Sequence, residues 1–392
     1  MGKKSGYLII LLMIAATSIK AQSNLEFGKV DSLTYSYYLE GKWNDLILLG
    51  NEATENNIDF KYLRQRLGYA YYSKGDYVKS ARQLRSARKF DSYDSFTLQY
   101  LYYSYQALGN EDAASLAAGR MTLENRKILG INLFKPVESI SSEYNFKYAG
   151  TSLRTNPQYI NLGITSRFGS RISLLQMISE YNQVVTIRLP LRDRYVTDEQ
   201  FEYYALVKVN LSQNLMAKAA YHYLNSTFSI SNTKSNLGYF GVSTLSSNLR
   251  LGLDASVRKA EQEYITQYGF DAGINSIGRH RVYLSGYMAL LDENNSTRVI
   301  YSQKAGIKIT KAAWLEANAV FGNLNNFSDY SAMYVHNSID PTTFRAGTSL
   351  FIYPGKHFSL WLNFAYERKQ FYEDLNQSYN QFSYLGGIRW KI

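Results

Sequence analysis

From residue 137 to the end of the chain, apolar and polar residues alternate with a period of two. Leu249, Leu251, Leu253, Ala255 and Val257 take one side of a segment, and Arg250, Gly252, Asp254, Ser256 and Arg258 take the other. Phe201, Tyr203, Ala205, Val207 and Val209 alternate likewise with Glu202, Tyr204, Lys208 and Asn210; Phe358, Leu360, Leu362, Phe364 and Tyr366 alternate with Ser359, Asn363 and Glu367. Successive side chains of a strand point to opposite faces, so each segment predicts a strand with one greasy and one polar face. Cut at its turn signals, the region yields 14 strands, within two, from 137–149 to 378–392. The third (171–188) and sixth (236–246) alternate least clearly.

Between about 27 and 128 the period is helical, and the pattern repeats every 34 residues. Gly41, Gly75 and Gly109 mark the step. Leu33, Leu67 and Leu101, then Tyr37, Tyr71 and Tyr105, then Ala53, Ala87 and Met121 stand at fixed offsets from them, and Trp43 corresponds to Tyr77. Leu and Tyr four apart share one helix face, Gly permits a turn, and Ala lets a second helix approach closely. Each copy therefore predicts a helical hairpin, and three copies make six helices whose stacking buries one continuous core.

The middle copy, with Leu67-Gly68, Tyr71, Gly75, Tyr77, Ala81 and Ala87, resembles the tetratricopeptide repeat, and the resemblance extends over all three copies. Ser80 and Ser92 stand where that family usually has Ala and Pro. The resemblance implies an α-solenoid with a concave groove for a peptide or partner protein; a spacer or plug support is the plainer alternative.

A soluble sandwich or propeller also alternates, so three further features decide the all-β part. Its strands commonly run to 11 residues or more, long enough for a tilted crossing of hydrocarbon. Every second connection is tight, as at Gly169-Ser170, Gln213-Asn214, Ser247-Asn248, Gly278-Arg279, Lys311-Ala312 and Pro354-Gly355, whereas the intervening ones are longer and the stretch from about 324 to 343 is the longest. The chain ends inside a strand, where Phe382, Tyr384, Ile388, Trp390 and Ile392 share a face opposite Ser383, Gly387, Arg389 and Lys391. That face resembles the C-terminal strand by which outer-membrane barrels are recognised for assembly, with Ile392 in place of the usual terminal aromatic. A closed barrel is one of the two structures that satisfy their backbone inside lipid, and short turns on one rim are its signature.

The predicted fold is therefore α + β in two domains: an N-terminal α-solenoid of three tetratricopeptide repeats, then an antiparallel transmembrane β-barrel of about 14 strands. Residues 1–21 read as a signal peptide, from Lys3 and Lys4, an apolar run over Tyr7–Ile14 and a small-residue stop at Ala21; the alternative is an uncleaved anchor, for which the apolar run is short. Repeats occupy 27–128, a linker 129–136 ends at Pro136, and the barrel fills 137–392. With an even strand count both barrel ends share the periplasmic rim, which places the repeats in the periplasm. A repeat domain ahead of an outer-membrane barrel resembles the YaiO-type outer-membrane protein family.

Charge and composition narrow the function. Net charge is +11, and losing Lys3, Lys4 and Lys20 with the leader leaves +8, without the clustered basic runs of a nucleic-acid binder. Cysteine is absent, which excludes disulfides and thiolate metal sites. Four histidines offer no metal pair: His280 and His357 fall in turns, His336 in the long loop, and His222 lies four residues from Ser226, roughly 13 Å along one strand and too far for a nucleophile–base contact. No cofactor, catalytic or metal site is predicted, and the chain reads as a non-enzyme, against the rival of a lipid-hydrolysing barrel. Strand parity points Lys147, Arg167, Lys208, Lys218, Arg250, Arg258, Lys304, Lys308, Arg345, Lys369, Arg389 and Lys391 into the lumen, against the carboxylates of Glu143, Glu202, Asp254, Asp271, Glu316 and Glu367. Such an excess of positive charge favours anions. The leading expectation is an adaptor held in outer-membrane lipid, whose repeats dock a partner protein of an envelope secretion, assembly or export complex. The alternative is a channel for an anionic or polymeric substrate that the repeats gate or supply.

Overall fold

The computed structural model describes residues 25–188, 191–229, 231–245, 249–261, 263–275, 282–294, 296–310, 312–355 and 357–392. The expected leader, His280, Lys311 and the turns at Ser247-Asn248 and Gly278-Arg279 lie outside the described residues. Among the described residues seven helices precede a closed 14-stranded antiparallel barrel, and the chain forms two compact units, Met1–Asn110 and Glu111–Ile392.

The described helices are α1 Phe27–Leu39, α2 Trp43–Glu55, α3 Lys61–Ser73, α4 Tyr77–Phe90, α5 Ser95–Ala107, α6 Glu111–Ala118 and α7 Leu123–Ile128. Helices α1, α3 and α5 begin 34 residues apart, and so do α2, α4 and α6. One backbone device repeats with them. Gly41, Gly75 and Gly109 have φ of 68°, 75° and 70°, the left-handed region that closes a helix, and the next residue's N–H donates to the carbonyl of Tyr37, Tyr71 or Tyr105 at 2.9 Å in each copy. The glycine and the tyrosine of the repeat are thus two ends of one C-terminal motif. Val30, Leu46, Ala53, Leu63, Leu67, Ala70 and Tyr71 form a buried core in the first unit. Leu67 and Tyr71 are buried whereas Leu33 and Tyr37 remain half-exposed, so the first copy is the looser one.

The wall strands are β1 Phe134–Ala149, β2 Gln158–Phe168, β3 Ile172–Ile187, β4 Arg194–Asn210, β5 Leu215–Phe228, β6 Ser231–Leu245, β7 Leu249–Ala260, β8 Glu263–Asn275, β9 Val282–Glu293, β10 Ser296–Lys308, β11 Ala313–Phe321, β14 Thr342–Ile352, β15 Phe358–Gln370 and β16 Ser378–Lys391. A two-stranded hairpin, β12 Ser328–Asp329 with β13 Tyr334–Val335, lies between β11 and β14. Each wall strand pairs with its neighbours in sequence, and β1 closes on β16 from Ser139↔Lys391 to Ala149↔Gln381. Closure leaves no unpaired edge, which is the architecture of the outer-membrane class of barrels. The outward residues are apolar and exposed: Leu253 is 67% accessible, Tyr268 60% and Trp390 52%. Tyr384, Ile388, Trp390 and Ile392 share that outward face, with Trp390 stacked on Phe358.

The structure corrects several local expectations. β1 starts at Phe134 rather than after Pro136; the register shifts between Lys135 and Ser139, and this irregularity accommodates a residue that has no N–H to give the ladder. β3 and β6 are continuous despite their weak alternation. The expected loop asymmetry is incomplete. On the rim away from the chain ends, only two residues separate β5 from β6, β7 from β8 and β9 from β10, and Ser229, Glu261 and Asn294 take positive φ in these turns. The long segment between β11 and β14 does not spread over the rim: Leu324, Phe327 and Ala332 are buried.

Candidate functional site

The segment between β11 and β14 folds back into the barrel. Its apolar side chains seat it: Leu324 and Phe327 are fully buried in a cluster with Ile265, Ala289, Leu291, Ile300 and Val320 on the inner wall of β8–β11. His336 stacks on Phe327 with ring centroids 5.7 Å apart.

Wall side chains then clamp its backbone. Gln267 makes a reciprocal pair with Ser328, donating to its carbonyl and accepting from its N–H, both at 2.9 Å. At the hairpin tip, Tyr330, Ser331 and Ala332 all have positive φ, 51°, 63° and 61°. Consecutive left-handed residues cost about 1–2 kcal/mol each, so the surroundings must hold the tip. Tyr204 donates its hydroxyl to the Ser331 carbonyl at 2.9 Å, and His222 Nδ1 meets the Ala332 carbonyl at 2.9 Å. His222 Nε2 lies 3.4 Å from Glu202, so this histidine bridges the wall and the hairpin. Arg298 donates to the Asn325 carbonyl, and Arg258 bonds Asn326 and Asn337.

The outgoing leg is fastened by Asp340, which is 3% exposed. It accepts from Arg154 Nε and Nη2 at 2.7 and 3.0 Å, from the Tyr379 hydroxyl at 2.7 Å and from the Tyr372 N–H at 3.1 Å. Arg154 also pairs with Glu373 and lies over the Phe371 and Tyr372 rings. One bidentate guanidinium thus ties together the hairpin, the β1–β2 connection and the β15–β16 connection.

Beside the hairpin lies a cavity of about 550 Å³. Its charged lining is balanced: Lys147, Lys304, Arg345, Lys369 and Arg389 against Glu143, Glu202, Glu316, Asp329 and Glu367. Several of these charges serve each other or a neighbour. Lys147 and Arg345 lie 3.2 and 3.7 Å from Glu367, Lys369 donates to Ser338 and the Asp340 carbonyl, and Lys304 sits 3.7 Å over the Tyr330 ring. Glu143 accepts from Asn161, Tyr334 and Trp361.

Of the other basic residues assigned inward by parity, Arg250 pairs with Asp271 and Arg167 with Glu138. Lys208 and Lys218 face each other across β4–β5, and Lys308 ends β10 opposite Trp314. The first turn of α6 meets the rim where the chain ends: Glu111 bonds Lys391 at 2.8 Å and reaches Arg389 at 3.5 Å, and Asp112 reaches Arg167 at 3.2 Å. Asp254, also assigned inward, accepts from the Tyr287 hydroxyl.

The parity count missed several carboxylates. The bulge after Lys135 breaks parity, so Glu138 as well as Ser139 is buried inward. β4 begins at Arg194, which brings Asp198 onto the wall, and β9 extends to Glu293, which bonds Asn326. Asp329, Asp340, Glu111 and Asp112 come from the hairpin and α6, whereas Arg154 and Arg298 are the added cations. The lumen is therefore close to charge balance. Among the described residues no group of side chains has metal-ligating geometry, and no helix is long and apolar enough to cross a membrane.

The class of protein that the fold defines is a closed 14-stranded barrel with an N-terminal helical region. No known family's sequence profile matches the chain, and neither does any curated protein. Solved structures with a similar course include the deltaS2 mutant of TodX, a monoaromatic hydrocarbon channel, at 10% identity and TM-score 0.45 over 70% of this chain and 94% of that one. CymD, a monoaromatic hydrocarbon channel, aligns at 9% identity and TM-score 0.43 over 74% and 92%, and outer membrane protein Omp33 of Acinetobacter baumannii at 7% and 0.36 over 66% and 100%. Likeness of this degree carries no argument about substrate or partner.

Proposed function

We propose that the chain is an outer-membrane channel whose passage is closed at rest by the inward-folded segment 322–341. The outward apolar face supports the membrane setting, because such a continuous greasy surface is matched by lipid. The observation that carries the channel reading is the seating of the hairpin. A lumen that served only as an anchor needs filling, whereas this one is filled by a separable segment beside a cavity of about 550 Å³ with mixed polar and aromatic walls. Planar-bilayer recording tests it: deleting residues 326–340 is expected to raise conductance sharply. A variant with a verified folded barrel and no current in either form refutes the channel.

In the same reading α1–α6 are three tetratricopeptide repeats standing in the periplasm, supported by the 34-residue spacing of their helix starts. A docking role for them is favoured by one further observation. Tyr38, Tyr69 and Tyr100, on α1, α3 and α5, contact in series with centroids 5.2 and 4.9 Å apart, and Trp43, Tyr72, Phe96 and Tyr103 join them in one aromatic face. Half-exposed rings linked across three helices offer rigid contact area to a partner or to cargo entering the barrel.

A further inference from the structure

The cavity beside the hairpin has three properties that together restrict what fits it. Its ionisable lining carries as many cations as carboxylates, so a net-charged ligand gains no overall attraction. The same ten charged groups make it a poor host for a hydrocarbon, which strips water from them and returns no hydrogen bond. One of its aromatic groups, Trp361, is held flat against the wall.

Trp361 shows how. A Cβ on Gly387 of the adjoining strand would stand 2.1 Å from Trp361 Cε2 and 2.3 Å from Nε1, so the indole lies across bare backbone there. Its N–H donates to Glu143 Oε1 at 2.9 Å, which fixes the ring in its plane. One face covers Gly387 and the ring lines the cavity. Next to it, Asn363 spends its amide N–H on Ser349 Oγ at 2.8 Å, while its buried Oδ1 accepts nothing. Higher in the cavity Arg345 Nε is buried without a hydrogen-bond partner, its nearest carboxylate being Glu367 at 3.7 Å. Asn363 and Arg345 both line the cavity, so a small turn of either side chain offers its unused acceptor or donor to hydroxyl groups, which donate and accept.

We propose that this cavity binds a neutral, hydroxyl-rich ligand, a segment of oligosaccharide, with Trp361 as its stacking platform and Asn363 and Arg345 as its hydroxyl contacts. As a solute in transit the ligand's role rests on the channel reading; the binding site itself does not. The test uses the full chain in a sugar-free amine-oxide detergent, titrated calorimetrically with neutral hexasaccharides (maltohexaose, cellohexaose and chitohexaose), with an oligogalacturonate of equal length and with toluene. Saturable binding of at least one neutral hexasaccharide, tighter than either comparison ligand, is expected. Trp361→Leu and Asn363→Leu, each checked for heat-modifiable migration, should weaken it by about tenfold or more, which corresponds to about 1.4 kcal/mol per decade. The assignment fails if no neutral hexasaccharide binds, if oligogalacturonate or toluene binds more tightly, or if both folded variants bind like the parent. Bilayer current from the same preparations separates the two readings. Binding without current retains the site and removes the channel, whereas current without binding does the reverse.

Discussion

Replacing Phe327 by Ala is the most informative single perturbation of the lumen. Phe327 is fully buried, and its neighbours Leu324, Ile300 and Leu291 are fully buried with it. Burying a Phe and a Leu side chain contributes about 1.5–3 kcal/mol each to holding the hairpin against the wall. The three left-handed residues at the tip oppose that with about 1–2 kcal/mol apiece, so the two contributions nearly offset and the polar clamp decides the balance. Removing a buried Phe typically costs about 3–5 kcal/mol. At about 1.4 kcal/mol per factor of ten, the closed-to-open ratio of the hairpin should fall by a factor on the order of 10² to 10⁴. The wall is held by continuous backbone pairing from β1 round to β16, so the barrel itself should survive. Single-channel recording in planar bilayers reads the result as longer and more frequent openings, and migration of unheated against heated protein on gels confirms the barrel. If the folded variant is as closed as the parent, the hairpin is not the closing element and the reasoning from its seating is wrong.

The fastening of the outgoing leg predicts that Arg154→Gln, which strands Asp340 and Glu373, opens the passage in the same assay, while the exposed Arg368→Gln leaves current unchanged; equal behaviour of the two would remove Asp340 as a latch. Gly75→Val puts a β-branched residue at φ 75°, a conformation worth several kcal/mol less to it than to glycine, and should lower the helical signal at 222 nm without altering barrel migration. A tag beside Asn376, in the exposed connection between β15 and β16, should be reached by antibody on intact cells, whereas one beside Asn57, in the α2–α3 turn, should need a permeabilised outer membrane; the opposite pattern inverts the orientation. Burial first, then neighbouring Tyr69, pushes the Tyr100 phenol up from 10.0 to about 12. Its protonated form is therefore favoured by folding, so stability is whole below pH 10 and declines as pH rises toward 12. Helicity and tyrosinate absorbance followed together should change over that window, and full tyrosinate formation with no loss of helicity would contradict it.

The two periods in the sequence were readable for physical reasons. The 34-residue step survives because each glycine closes a helix at positive φ and each tyrosine carbonyl receives the following N–H, so both residues are tied to one backbone geometry. Strand alternation survives because one face of the wall meets an apolar surround and the other a polar lumen. Individual inward residues were read less well. One bulge beside Pro136 flips Glu138, which hides one of the two carboxylate partners of Arg167 from strand parity. Glu111 of α6, which meets Arg389 and Lys391, comes from far along the chain, and no periodicity reports such a pairing. The inward fold of the long segment has a trace in its composition. Leu324, Phe327, Ala332, Met333, Val335 and Ile339 are its apolar residues, and the first three are buried in the lumen.

Why the loop turns inward follows from the width of the barrel. Wall side chains alone fill a barrel of about eight strands, and one of about 16 leaves a water channel, so 14 strands leave more room than side chains can occupy. This wall does not fill the space with bulk. It sets glycine at inward positions and lays rings across them: Tyr283 over Gly306, Tyr287 over Gly269 and Trp361 over Gly387. Flat rings thin the lining, keep the lumen wide and present aromatic faces, which is the opposite of packing it shut. The remaining space is taken by a single covalently tethered segment. Such a segment is held by a local apolar seat, carries a strained tip and is fastened through the buried guanidinium groups of Arg154 and Arg258. It can leave without breaking any strand pairing, because the register from β11 to β14 runs Ala313↔Ile352 to Phe321↔Phe344 and excludes it. A lumen designed only as a filled pillar has no physical reason to separate its filling from its wall in this way.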